Sequence, residues 1–479
     1  MLERLHSGPL EGPPVPDARG QQAADLRSRW SKICERFLPL AAPGTPWRYS
    51  RNLDEGVPRQ GWKIHLSATI LNACDMLEAS APILFDLGVA FKGPATLDEL
   101  RKLNSGIWYG YSQVGKFITV YPKSTSQFIG LCHRLDRSCS EIGCGPSVPF
   151  DNRLRANSNV FYRYGIFNQQ AGAAVTESIV SPSGECFEED RYKPARAPSW
   201  ERDPFETEAF YGRVRNREGS FLGRRYNIFR CLSQRGKGGV YDAIEMGIHP
   251  PRACVIKEGR KDGEVAWSGS DGFERTENEA RILTHSLSQS GAVPSVYDTF
   301  AVGDSFFLVL EKLDGISLAR LLTQKHVTIF MSDRLSICRE LIDLVSAIHN
   351  SGIVWRDCTL SNVLIDKDGK LRALDFEGSC EIDKFDSFAW STPDFSPPEI
   401  FSGFYTRPRG SNLPEDLFAL GCCLYLIIEG RHPFPDRDFT LTPRMKQRVD
   451  RRVRSAILAL LNNDPDRRPL SAEIRKTFT

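Results

Sequence analysis

Val354-Trp355-Arg356-Asp357-Cys358-Thr359-Leu360-Ser361-Asn362 is followed downstream by Leu374-Asp375-Phe376-Glu377-Gly378. A carboxylate, an amide and a second carboxylate thus recur at a spacing that suits phosphoryl transfer. Asp357 is placed to receive the proton of a substrate hydroxyl, and Asn362 and Asp375 offer oxygen ligands for Mg2+ on nucleotide phosphates. Alone, an Arg-Asp pair in a loop reads as a surface ion pair. Here it has company on both sides.

Upstream, Ala253-Cys254-Val255-Ile256-Lys257 reads as a buried strand ending in a lysine fit to hold phosphates, and Glu279 lies in the helical run 273–287, where it is able to pair with that lysine. The apolar strand 306–311 ends at Glu311, and Lys312-Leu313-Asp314-Gly315 follows as a hinge. Downstream come Ser396-Pro397-Pro398-Glu399, then Asp416-Leu417-Phe418-Ala419-Leu420-Gly421, then Asp464-Pro465-Asp466-Arg467-Arg468-Pro469, whose arginine is expected on Glu399. In this order the elements resemble a protein kinase. The resemblance implies ATP or GTP with Mg2+ as cofactors, Gly236 and Gly238 at the phosphates, and Lys257, Glu279, Glu311 and Leu313 around the rest of the nucleotide. Three departures stand out. Aligned on Val240, Ser233, Arg235 and Gly238 occupy the three usual glycine positions, with Gly236 and Gly239 as extras, so Arg235 and Lys237 bring charge where glycine normally allows close approach. Thr359 stands where a lysine is usual, and Glu377 displaces the glycine of the magnesium motif.

In the first half, Trp62-Lys63-Ile64-His65-Leu66-Ser67 alternates apolar and polar residues, as a strand with one buried face does. Trp62, Ile64 and Leu66 point to a core; Lys63, His65 and Ser67 share the other face, neighbours about 7 Å apart. A second strand, Gly115-Lys116-Phe117-Ile118-Thr119-Val120-Tyr121-Pro122, opens with another lysine, and Asp151-Asn152-Arg153-Leu154 and Val160-Phe161-Tyr162-Arg163-Tyr164-Gly165 follow. These strings, with Pro198-Ser199-Trp200-Glu201-Arg202-Asp203-Pro204-Phe205 as a linker, resemble the lyase domain of class III lanthipeptide synthetases, which is related to bacterial phosphothreonine lyases. The resemblance covers roughly residues 25–479. It implies Lys116 as a base, His65 as an acid, and Lys63, Arg153 and Arg163 as a phosphate clamp. A lysine acts as a base near neutrality only when its pKa is depressed, which neighbouring cations and burial favour.

The expected fold is a multidomain α+β chain: a phosphothreonine-lyase-like α+β domain followed by a two-lobed protein kinase fold. Its expected parts are a flexible tail (1–24), the lyase-like domain (25–205), linker and sheet-rich lobe (206–313) and helical lobe (314–479). With 479 residues, 41% of them apolar, the chain is long enough for such cores. The 62 basic and 60 acidic residues nearly cancel, so no global field favours nucleic acid. The apolar run 417–428 is too short to span a bilayer and suits a buried helix. Thirteen cysteines without a secretion signal point to reduced thiols and a cytoplasmic location. Arg444, Lys446, Arg448, Arg451, Arg452 and Arg454 crowd an expected helix, either a solvated face or a dock for an acidic leader.

The two halves make sense together, because phosphorylation turns a serine or threonine hydroxyl into a leaving group that a lyase then expels. The expected partner is a precursor peptide with a leader. Full-length synthetases of this class continue into a cyclase domain, whereas this sequence ends at Thr479; two expectations stay open, a separate cyclase or other tailoring enzyme acting in trans, or a product that keeps its dehydro residues. Two other readings stay open: a Ser/Thr kinase whose first domain only binds phosphopeptides, and a non-catalytic scaffold.

Overall fold

The computed structural model describes residues 10–11, 18–53, 56–167, 178–189, 192–206, 224–288, 290–324, 329–382, 390–401, 413–440 and 443–478. Most of the expected tail and of the linker 206–224 falls outside them. The tail expectation needs one correction: the helix Ala18–Phe37 already contains residues 18–24. It is amphipathic, and Ala23, Trp30, Ile33 and Cys34 pack into the first core.

The first domain is built on a seven-stranded antiparallel sheet. Its order runs Leu40–Ala41, Trp47–Tyr49, Ala90–Pro94, Ile118–Tyr121, Gln60–Leu66, Val160–Ile166, Asn152–Arg153. Strand parity does the sorting. Trp62, Ile64 and Leu66 face the helices Ala73–Asp86 and Thr125–Ser138, and Trp62 stacks on Phe128 with ring centroids 5.4 Å apart. Lys63 and His65 take the other face. Phe205 closes the same core against Phe128 and Tyr162, so the end of the expected linker segment packs as part of this domain.

The second domain has a sheet-rich lobe and a helical lobe. Five antiparallel strands run in the order Tyr226–Arg235, Gly238–Glu245, Arg252–Arg260, Ser305–Glu311, Val296–Val302. Against them lies the helix Gly272–Arg281, capped by the Asp271 carboxylate, which accepts from Glu274 N at 2.9 Å. The helical lobe is organised around Leu413–Glu429, whose residues 415–428 are all buried. Each large apolar side chain sealed this way contributes about 1.5–3 kcal/mol. The helix Met331–Asn350 packs beside it, its stripe of Cys338, Leu341, Ile342, Val345 and Ile348 facing the core.

Among the described residues, contacts between the domains include the following. Trp267, between the strand Arg252–Arg260 and the helix that follows, packs into the first domain's core with the Arg27 guanidinium 4.6 Å from its ring. Arg260 donates to the Tyr111 hydroxyl at 2.5 Å, and Gly236 N–H donates to Ser105 O at 3.0 Å. The basic cluster needs a second correction: only Arg451, Arg452 and Arg454 lie on the helix Arg451–Leu460, so Arg444, Lys446 and Arg448 form no continuous helical face with them.

The loop carrying Asp357 hangs on one buried carboxylate. Asp416 accepts Trp355 N–H and Arg356 N–H at 2.7 Å each. Asp416→Ala strands two buried donors, at about 1–3 kcal/mol apiece. The urea midpoint of the helical lobe, followed by circular dichroism, is expected to fall accordingly; an unchanged midpoint contradicts this assignment.

Candidate functional sites

The cleft between the two lobes gathers most of the residues singled out in the second half. Lys257 Nζ lies 2.7 and 2.8 Å from the two carboxylate oxygens of Glu279 and 2.9 Å from Asp375 Oδ1. Burial works against the lysine's charge, but Asp375 and Glu279 overcome it and hold the ammonium well above its usual range. Asp375 is held below the usual carboxylate range: burial opposes its charge, and Lys257 and Lys237 outweigh that.

Asp357 differs. Burial and the nearby Asp375 push its carboxyl up to about 7, against the pull of hydrogen bonds from Thr392 and Asn362. Thr392 Oγ1 donates to Asp357 Oδ1 at 2.5 Å and Asn362 Nδ2 to Asp357 Oδ2 at 2.7 Å. The bond turns the Asn362 amide so that its carbonyl oxygen is the atom left for a cation. Together with the anionic Asp375, this hard oxygen pair suits Mg2+, which typically takes one or two protein ligands beside nucleotide phosphates.

Trp355 has a visible task. Its indole N–H donates to the carbonyls of Leu374 and Asp375, 3.1 Å each, and its ring stacks on Phe376 with centroids 5.6 Å apart. Asp375 and Arg356 both have φ of 65°, which costs energy in a non-glycine residue. The indole bond and the Asp416 carboxylate hold these two backbones in place. Arg468 pairs with Glu399 at 2.6 and 2.8 Å, as the sequence suggested. Glu311 ends its strand, its carboxylate accepting from Ser295 and Arg372, and Leu313 follows in the crossing between the lobes. Gly238 sits in the hairpin ladder, opposite both Arg235 and Gly259. Gly236 departs from expectation: its N–H is committed to Ser105 O and is not turned to a phosphate.

In the first domain, Lys63, His65, Lys92, Lys116, Arg163 and Glu189 line a cavity of about 470 Å³. Register explains the grouping, since Lys63 pairs with Arg163 and His65 with Phe161 across adjacent strands. Lys116 comes from the turn before Ile118–Tyr121. Gly115 makes that turn with φ of 73°, and a Cβ there would stand 2.7 Å from Pro146 O, so only glycine fits.

Two carboxylates that the sequence had not singled out organise these cations. Asp151 pairs with His65 Nδ1, lies 3.5 Å from Arg163 Nη1 and is 3.9 Å from Lys116 Nζ. Burial opposes its charge, yet Lys116, His65 and Arg163 hold it far below the usual range. Glu189 lies 3.5 Å from Lys63 Nζ and 3.7 Å from Arg163 Nε. The His65 imidazole is held down to about 4, chiefly by burial, with Lys116 and Lys63 opposing further charge and Asp151 only partly compensating. It is therefore neutral at pH 7.

Arg153 needs correcting. It shares the sheet face with His65, but Phe161 stands between them in the row. Its Nε donates to Ser158 O at 2.9 Å, its guanidinium lies 5.0 Å from the Phe161 ring, and Asp304 and Asp262 of the second domain act on it. It belongs to the domain boundary and not to the cavity lining.

Comparison with known families agrees with this division. Residues 229–477 match the protein kinase domain and residues 41–216 match the RamC N-terminal domain. The first match alone covers more than half of the sequence: the chain belongs to the protein kinase family, with a RamC N-terminal domain ahead of its kinase domain. That pairing agrees with the resemblance to class III lanthipeptide synthetases. A probable SapB synthase of Streptomyces coelicolor is 28% identical over 396 residues, covering 78% of this chain and 40% of the relative. The serine/threonine-protein kinase PLK4 of Drosophila virilis is 30% identical over 213 residues, 44% of this chain and 26% of that one. PknA of a Nostoc species is 28% identical over 222 residues, 44% and 38% respectively. The chain thus spans well under half the length of these relatives.

The electrostatics of the cavity are directly measurable. By NMR, the His65 imidazole is expected to titrate at about 4, and Asp151→Asn to push the midpoint lower by removing the carboxylate that pairs with the ring and favours the imidazolium. A midpoint at the ordinary 6.5 contradicts the buried, cation-crowded site.

Proposed function

We propose that this chain is a bifunctional Ser/Thr kinase and phospho-Ser/Thr lyase that dehydrates serine and threonine residues of a ribosomally made precursor peptide, as in lanthipeptide biosynthesis. The observation that carries the reading is the cluster of Lys63, His65, Lys116 and Arg163 around one cavity, in the same chain as the Lys257, Glu279 and Asp375 cleft.

In the first step the peptide hydroxyl attacks the terminal phosphorus of ATP or GTP, its proton passes to Asp357, and the nucleoside diphosphate leaves. Asn362 and Asp375 would hold Mg2+, which would supply positive charge to the phosphates. In the second step Lys116, having first given up its ammonium proton, removes the Cα proton as the neutral amine, the Cα–Cβ double bond forms and the Cβ–O bond breaks. Lys63 and Arg163 hold the phosphate dianion and His65 protonates the departing oxygen. A neutral His65 is a poor acid, but a dianion beside it favours the imidazolium, so arrival of the phosphopeptide prepares the acid. The product, dehydroalanine or dehydrobutyrine, is an electrophile for cysteine thiols, so a thiol-adding cyclase activity is the natural step that follows.

Several features support a cytoplasmic setting. All thirteen cysteines are free thiols, and among the described residues no helix is long and apolar enough to cross a membrane. Many of the thiols are buried, Cys132, Cys338, Cys422 and Cys423 among them.

Two outcomes are expected. With peptide, nucleotide and Mg2+, wild-type enzyme yields dehydrated peptide, whereas His65→Ala and Lys116→Ala accumulate phosphopeptide and Asp357→Asn yields neither, as read by mass spectrometry. Phosphopeptide as the wild-type end product favours a kinase with a phosphopeptide-binding first domain. Second, kcat/KM for phosphorylation is expected to fall as pH drops through about 7, because Asp357 must be ionised to accept the proton. Thr392→Val removes a bond to the ionised form and is expected to move that limb to higher pH; a limb that stays put speaks against Asp357 as the acceptor.

A further inference from the structure

The hairpin between Tyr226–Arg235 and Gly238–Glu245 has Gly236 and Lys237 at its tip, where Arg235 pairs with Gly238. That tip is held on three sides. Gly236 N–H is spent on Ser105 O at 3.0 Å, and a Cβ at this position would fall 1.7 Å from Asn104 O, so the first domain sits directly against it. Lys237 O accepts Arg260 N–H at 2.8 Å. A Cβ at Gly272, where the next helix begins, would fall 2.0 Å from the same carbonyl. With its backbone fixed, Lys237 extends into the cleft and forms an ion pair with Glu377, its side chain only 22% exposed.

Glu377 occupies a place where the kinase resemblance leads one to expect glycine, Lys237 directly precedes the third glycine position of the loop, and the two charges meet each other two residues beyond Asp375. In a kinase, glycine-rich loop amides receive the phosphates. Here the Gly236 amide is unavailable, and an ammonium stands beside it.

We propose that Lys237 is a phosphate-binding residue of the nucleotide site: without nucleotide its ammonium rests on Glu377, and a bound nucleoside triphosphate draws it onto its terminal phosphate oxygens. A triphosphate carries several negative charges against the single charge of the carboxylate, so the exchange runs toward the nucleotide. Glu377 is the resting counter-ion that keeps a partly buried lysine paired between turnovers. The proposal rests on the kinase reading above.

The test is calorimetric titration of the full chain with Mg2+ and a non-hydrolysable ATP analogue, and separately with adenosine. Lys237→Ala is expected to weaken the analogue about tenfold or more, the loss of one charge-assisted contact, and to leave adenosine binding unchanged. Glu377→Gln removes the competing anion and is expected to tighten the analogue. The Lys237→Ala/Glu377→Gln double variant separates contact from mere neutralisation. If Lys237 touches the phosphates, the double variant stays weaker than Glu377→Gln; if it only masks Glu377, the two bind alike and the proposal is overturned. Equal loss of adenosine and analogue in Lys237→Ala also overturns it, because the change is then structural. Wild-type chain that binds no analogue defeats the kinase reading itself, whereas wild type and Lys237→Ala binding alike defeats only the role of Lys237.

Discussion

Charge compensation in buried sites is the constraint on which this structure depends. Isolated buried charges cost several kcal/mol each, so they persist only in mutually satisfying groups. Three such groups organise the chain. Asp416 gathers the backbone of the loop that carries Asp357. Lys257 binds Glu279 and Asp375 into one triad spanning the lobes. Asp151 and Glu189 hold Lys63, His65, Lys116 and Arg163 on one sheet face. Each group fixes reactive side chains without a ligand present, which is what preorganised electrostatic catalysis requires.

The same accounting separates the two chemistries. Phosphoryl transfer calls for an acceptor that ionises near neutrality, and Asp357, buried beside Asp375, is pushed to about 7. Elimination calls for positive charge around a dianion, and the first cavity is lined by five cationic or protonatable side chains, Lys63, His65, Lys92, Lys116 and Arg163. His65 is held down to about 4 in the absence of that dianion, and in the proposed reaction the substrate's own charge prepares it as the acid.

How much of this was legible in the sequence follows from which interactions are local. Asp357, Asn362, Asp375, Lys257 and Glu279 were readable because their order and spacing reflect a fixed framework of strand, helix and loop. Lys63 and His65 were readable because strand alternation sorts faces with a period of two. Asp151 and Glu189 were not, since their role exists only once distant strands bring cations to them; Asp151 lay in a quoted string without any signal of its partners. Arg153 shows the limit of parity: it lies on the correct face, yet the register puts Phe161 between it and His65. Gly236 shows another limit, because a glycine allows close approach without saying of what, and here the neighbour is the first domain.

The central claim is that the first domain expels phosphate from a phosphorylated peptide. Asp357→Asn enzyme, unable to phosphorylate, incubated without nucleotide with a synthetic phosphothreonine peptide bearing its leader, tests it most directly. The account predicts release of inorganic phosphate together with dehydrobutyrine in the peptide, detected by phosphate assay and mass spectrometry, and no release when Lys116→Ala is added to the same chain. Phosphopeptide recovered intact, or phosphate released with threonine restored by hydrolysis, would contradict it.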